Sequence, residues 1–141
     1  MVLSTMPLFR RRARALPADV AAAYEAFLVC AAHVDLAQRA MLRCVPSSAR
    51  SMAIPLPVGA ETLRLALADA AATMAAWRHP AVEPLWHACN DAIDATLASV
   101  DAAVARAAAT VELEVALTAV QDLLDPLHAF VDAEEAFNAL R

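Results

Sequence analysis

One series of residues has the spacing with which helices hold metal ions. His79, Glu83 and His87 follow one another at intervals of four, and side chains four residues apart lie on the same face of a helix. Pro80 and Pro84 stand between them, and proline interrupts the hydrogen bonds of a continuous helix. We therefore expect these three residues to pack around the start of a helix rather than to bind a metal.

A dimetal site in a helical bundle would need a second kind of motif. Such sites take a Glu-x-x-His sequence from each of two helices, and no glutamate in this chain has a histidine three residues later. The nearest match is Asp125 with His128, which the helical phase places on a polar face beside Asp132 and Glu135. The sequence therefore predicts no metal ligand and no cofactor.

The nucleophilic side chains lie in settings that do not favour catalysis. Cys30, Cys44 and Cys89 fall in apolar stretches, with no arrangement of charges that would lower the pKa of a thiol. The serines near Arg50 have neither a histidine nor a strained glycine turn beside them; they are Ser47, Ser48 and Ser51. We identify no catalytic residue and no motif of a known family, and we favour a protein that is not an enzyme.

The composition indicates which elements position these side chains. The chain has 141 residues, of which 61% are hydrophobic and 5% aromatic, and its mean hydropathy is +0.51. Gly59 is the only glycine, which argues against β architectures with glycine-rich turns and against phosphate-binding loops. The length suits one domain. We expect an all-α protein.

Apolar residues at helical spacing, punctuated by prolines, predict four helices in residues 17–141. Their expected ranges are about 17–44, 60–79, 84–109 and 111–140. The proline- and serine-rich stretch Val45–Gly59 between the first two is expected to be a loop or crossover. In the third helix, two series repeat every seven residues and together form one expected a/d seam. The first is Trp86, Ile93, Val100 and Ala107, and the second is Asn90, Leu97, Val104 and Val111. The pattern favours a single-domain antiparallel four-helix bundle of up-down-up-down order, with the last helix kinked at Pro126. A break near Thr110, which could cap the fourth helix, is favoured over one continuous helix.

Residues 1–16 form an expected arginine-rich arm. The whole chain has a formal net charge of −5, so contact with nucleic acid or an anionic membrane would have to come from this arm. The arginines concerned are Arg10, Arg11, Arg12 and Arg14. We expect the arm instead to remain solvated or to dock on the acidic body.

The chain shows no pattern of a secretory signal. Its best apolar run, Ala26–Val34, is flanked by Glu25 and Asp35, from which we expect no membrane-spanning segment. Three cysteines without a signal are typical of a reducing compartment, so we expect a cytoplasmic protein.

The first helix has a second apolar side beyond the stripe that its own core needs. Val29, His33, Leu36 and Ala40 occupy this side, and they form the candidate interface of a homodimer or a contact for another protein. The alternative is a small apolar ligand or a metal ion held in the bundle core. The candidate lining residues for that alternative are Met41, Met74, Trp77, Trp86, His87, Cys89 and Phe130.

Overall fold

A computed structural model describes residues 15–46 and 53–141. Five α-helical segments and three 3₁₀ turns follow one another, and no strand occurs in these two ranges. The helices are α1 (Ala18–Leu42), α2 (Leu56–Thr73), α3 (Glu83–Ala108), α4 (Leu113–Leu124) and α5 (Ala129–Ala139). The 3₁₀ turns are Met74–Trp77, Pro80–Val82 and Asp125–His128.

The described chain has four helices when α4, the third 3₁₀ turn and α5 are counted as one uninterrupted helical stretch. This confirms the all-α class and is consistent with a helical bundle. Pro126 lies in the first turn of the 3₁₀ segment Asp125–His128, a position at which proline is tolerated. The predicted arm arginines lie outside the described residues. Leu16, which we assigned to the arm, is buried in the core.

The second helix begins earlier than the sequence indicated. It starts at Leu56 rather than near residue 60, with a proline, Pro57, in its first turn. We had placed Gly59 in a connecting loop, whereas the structure has it inside α2. The α-helix also ends at Thr73, and Met74–Trp77 continues it as a 3₁₀ turn before Arg78 becomes extended.

A break separates α3 from α4. Residues 109–112 are not helical, and the N–H of Glu112 donates a hydrogen bond of 3.0 Å to Oγ1 of Thr110. The break is therefore present where it was predicted. The expected cap is wrong by two residues, because Glu112 and not Thr110 precedes the helix.

The first two helices pack against each other over most of their length. The Sγ atom of Cys30 lies 3.3 Å from the carbonyl oxygen of Ala70, and Sγ of Cys44 lies 3.7 Å from that of Pro55. Since the middle of α1 meets a residue late in α2, and the end of α1 meets the residue before α2, these two helices run in opposite directions. The α3–α4 pair is the next most extensive contact.

Aromatic rings from both halves of the chain meet in one cluster. The ring centroids of Phe27 and Trp77 are 4.9 Å apart, and Phe137 lies 5.3 Å from both Phe27 and Tyr24. Phe130 lies 6.3 Å from Phe27. Such packed rings contribute more than their buried area alone. The cluster therefore fastens α1 and the end of α2 to α5.

The seam predicted for the third helix is buried in part. Its second series is more exposed, since Asn90, Leu97 and Val104 are partly exposed and Val111 lies beyond the end of α3 and is fully exposed. The first series is buried throughout. Its four members are at most 9% exposed; they are Trp86, Ile93, Val100 and Ala107. Thr96 is also fully buried in this helix, and its hydroxyl has no hydrogen-bond partner among the described residues.

Candidate interaction surface

The structure places three of the four candidate interface residues at or near the surface. The side chains of Val29 and Leu36 are 54% and 47% exposed, and His33 is partly exposed. Ala40 is buried, although it lines a surface cavity together with Leu36. The cause of its burial is the start of α2, which crosses α1 at this point, where Gly59 lies directly over Ala40.

The second helix adds two exposed aliphatic residues that sequence reasoning missed. Val58 and Leu65 are 54% and 60% exposed, and their spacing of seven residues puts them on one side of α2. Val58 and Leu36 line the same surface cavity, of about 150 Å³, which has Ala40 and Gly59 among its other lining residues. We call Val29, Leu36, Val58 and Leu65 the aliphatic patch. Helical spacing did not reveal the α2 residues of the patch, because Val58 was expected to lie in a loop.

Charged side chains border the patch on the first helix. Arg39 forms an exposed ion pair with Asp35 at 3.0 Å, and Arg43 lines the cavity beside it. Glu25 is exposed near the other end of the same helix. The helix therefore carries arginines at one end of its exposed side and a carboxylate at the other.

The candidate ligand-lining residues lie in a packed interior, with one exception. Met41, Met74, Trp77 and Cys89 are at most 2% exposed, and Trp86 and Phe130 are 9% and 5% exposed. The indole N–H of Trp86 donates to the carbonyl oxygen of Met74 at 2.7 Å. His87 is exposed and does not belong to this interior, because the helix turns it towards solvent beside Glu83.

The buried thiols are not activated. Burial raises the pKa of Cys89 to about 12 and also raises the pKa of Cys30. The thiolate is the nucleophilic form of cysteine, so both side chains are protonated at neutral pH. They act as small apolar residues within the core.

The three residues of the candidate metal series, His79, Glu83 and His87, make two separate sets of contacts. Nε2 of His79 lies 2.8 Å from a carboxylate oxygen of Asp19, while Nδ1 accepts from a backbone N–H. Glu83 instead accepts from Arg78 at 2.7 Å and lies 3.2 Å from His87. Within residues 15–46 and 53–141, no group of three or more potential ligands is placed to hold a metal ion.

Arg78 holds together the corner at which the chain enters α3. Its guanidinium lies 4.2 Å from the Trp86 ring and forks onto both carboxylate oxygens of Glu83. The hydrogen bonds from Arg78 hold the pKa of Glu83 below its usual value. A paired carboxylate of this kind positions a helix and is poorly suited to transfer protons near neutral pH.

A second surface runs between α1 and the fourth helical stretch, where these elements pack less extensively than α1 and α2 do. Three surface cavities follow one another along it and are lined on α1 by residues three or four apart, from Ala21 to Leu42. The two larger cavities measure about 380 and 330 Å³ and share Asp35, Gln38 and Val131. We call this surface the acidic groove, because four carboxylates line it: Glu25, Asp35, Asp125 and Glu134.

Helix α1 is long and apolar enough to cross a membrane by length and composition, with a mean hydropathy of 1.5 over an 18-residue window. We expected Glu25 and Asp35 to exclude a membrane-spanning helix, but α1 meets this test despite them. Core helices of soluble proteins and signal sequences meet the same test. Here one face of α1 is buried against the other helices.

No protein-family model matches the chain, and neither a curated protein nor a solved structure matches it significantly.

Proposed function

We propose that the protein is a non-enzymatic helical bundle that acts through self-association, as a homodimer formed by the aliphatic patch. The observation that carries this proposal is the exposure of four aliphatic side chains on adjoining sides of α1 and α2. Burying an aliphatic side chain contributes roughly 1.5–3 kcal/mol. Each copy supplies four such side chains, so a second copy that covered them would gain a substantial association energy.

The charges beside the patch favour a second copy as the partner. An antiparallel approach of two α1 helices, about an axis near Ala32, sets Val29 of one copy against Leu36 of the other. The same approach brings Glu25 of one copy within a turn of Arg43 of the other. A two-fold interface must be self-complementary, and α1 meets that condition in both shape and charge.

Small residues allow the two helices to come close. Ala22, Ala26 and Ala32 lie on or beside the exposed side of α1, and alanine permits short distances between helix axes.

We further propose an up-down-up-down order of the four helices, a kink at Pro126, an arginine-rich arm outside the bundle and a cytoplasmic location. In an alternative form of this proposal, the aliphatic patch binds a different protein instead of a second copy.

Native mass spectrometry and sedimentation of full-length protein test the dimer. Leu36→Arg places a charge in the centre of the patch and should convert the dimer to a monomer. Val115→Arg is the matched control, because Val115 is 44% exposed on α4 and lies outside the patch. A Leu36→Arg protein with an unchanged oligomeric state, or a monomeric wild type, would contradict the proposal.

The same spectra test the alternative of a core ligand. A mass above that of the bare chain, removed on unfolding, would favour a small apolar ligand or a metal ion held in the bundle interior. Circular dichroism of each variant confirms that it keeps its helix content, so that a change in mass reports association and not unfolding.

A further inference from the structure

The acidic groove begins where residues 1–14 join the described chain. Ala15 and Leu16 line its first cavity together with Tyr24, Glu25 and Leu28. From there the lining residues of α1 continue at helical spacing to Leu42. Ala15, the first described residue, therefore lies at one end of the groove.

The groove combines apolar and acidic side chains. Leu28, Leu42 and Val131 are 42%, 39% and 47% exposed along it, between the four carboxylates named above. The two arginines in its lining are already engaged: Arg39 pairs with Asp35, and the Arg141 guanidinium lies 5.4 Å from the Tyr24 ring. The remaining field is negative, so a suitable occupant is both basic and apolar.

We propose that residues 1–14 of the same chain bind along the acidic groove. This segment carries four arginines and no acidic residue, and it also contains six large apolar side chains. Those apolar residues are Met1, Val2, Leu3, Met6, Leu8 and Phe9. Its composition is thus the complement of the groove in both charge and hydrophobicity.

The segment is long enough to reach the far end of the groove. Fourteen extended residues span about 46 Å at roughly 3.3 Å each, and the 25 residues of α1 span about 37 Å. The arginines lie closest to the body in sequence, beside Glu25, Glu134 and Asp35. The apolar residues then extend towards Val131 and Leu42.

Photo-crosslinking in the full-length chain tests this placement. Benzoyl-phenylalanine replaces Phe9, and the crosslinked peptides are mapped by mass spectrometry. We expect crosslinks within one chain, to residues 28–42 of α1 and 124–134 of the fourth helical stretch. Crosslinks to the aliphatic patch, crosslinks scattered over the surface, or no crosslink would each overturn the proposal. Crosslinks found only at dimer mass would do so too, because they would place the arm on a second copy.

Charge-reversal variants separate specific binding from general attraction. Asp125→Arg with Glu134→Arg should reduce the crosslink yield at least five-fold. Asp69→Arg with Asp94→Arg changes the net charge equally at exposed sites outside the groove and should leave the yield unchanged. An equal loss in both pairs would overturn the proposal. Because the crosslinks are scored at monomer mass, the result does not depend on whether the aliphatic patch forms a dimer.

Discussion

A β-carbon on Gly59 would overlap the Sγ atom of Cys44, because the start of α2 crosses the end of α1 at this point. The same β-carbon would lie 3.0 Å from the backbone carbonyl oxygen of Ala40. The sole glycine of the chain therefore sets how closely α1 and α2 approach, and it does so within a helix.

We expect Gly59→Ala to destabilise the fold by about 1–3 kcal/mol, the usual effect of overpacking. Alanine is favoured over glycine by about 1 kcal/mol within a helix. The destabilisation from the overlap therefore has to exceed this gain in helix propensity. Urea unfolding followed by circular dichroism measures the difference. Cys44→Ala in the same chain removes the Sγ atom and should recover part of the loss. A more stable Gly59→Ala protein would show that the helices separate without cost.

Replacing Thr96 with valine should stabilise the protein by about 1–2 kcal/mol. The hydroxyl of Thr96 is fully buried without a partner among the described residues, and burying an unpaired hydroxyl costs about 1–3 kcal/mol. Valine keeps the shape and removes the polar atom. Thr118→Val on the exposed side of α4 is the control and should change the unfolding free energy by less than about 0.5 kcal/mol. Equal effects of the two substitutions would refute the assignment.

Cys30 and Cys89 should resist alkylation in the folded protein. Burial raises the pKa of both thiols, that of Cys89 to about 12, so at pH 8 they remain protonated as well as inaccessible. Iodoacetamide treatment followed by peptide mapping reports each residue separately. The same treatment in guanidinium chloride should modify all three cysteines. Rapid modification of Cys89 without denaturant would mean that the core opens.

The corner at the start of α3 should weaken in acid. Hydrogen bonds from Arg78 lower the pKa of Glu83 from its ordinary value of 4.5, and the hydrogen bond with His79 lowers that of Asp19 from 3.8. A carboxylate with a lowered folded-state pKa stabilises the fold above its ordinary pKa, and this contribution is lost as pH falls through the lowered value. Stability should therefore decline below about pH 4.5.

An NMR titration of the side-chain carboxyl carbons checks this result at individual residues. The midpoint of Glu83 should lie below 4.5 in the wild type and move upward in Arg78→Gln. Arg64→Gln is the matched control, since Arg64 pairs with Asp101 on another part of α3. An unchanged Glu83 midpoint in Arg78→Gln would contradict the assigned cause.

Periodicity predicted the elements well where apolar residues repeat without interruption. The seam through Trp86 and Val100 and the break near Thr110 follow from spacing and from turn chemistry. The start of α2 was misplaced because Pro57 and Gly59 are typical of a loop, whereas proline is tolerated in a first helical turn and this glycine serves a close helix crossing.

The candidate surface was only half visible in the sequence. Val29 and Leu36 were identified from the spacing along one helix, but their neighbours Val58 and Leu65 come from another helix. Which side chains meet across a surface depends on helix packing, and periodicity within one helix does not contain that information. The burial of Ala40 could not be predicted for the same reason, since it comes from the start of α2.

The aromatic cluster has a consequence for how the chain folds. The most extensive contacts join helices that are adjacent in sequence, α1 with α2 and α3 with α4, and local contacts of this kind favour folding in milliseconds or less. Phe27 and Trp77 belong to the first pair, whereas Phe130 and Phe137 come from the last helical stretch. We therefore expect the α1–α2 and α3–α4 pairs to form early, and the closing of these four rings upon one another to be a late step of folding.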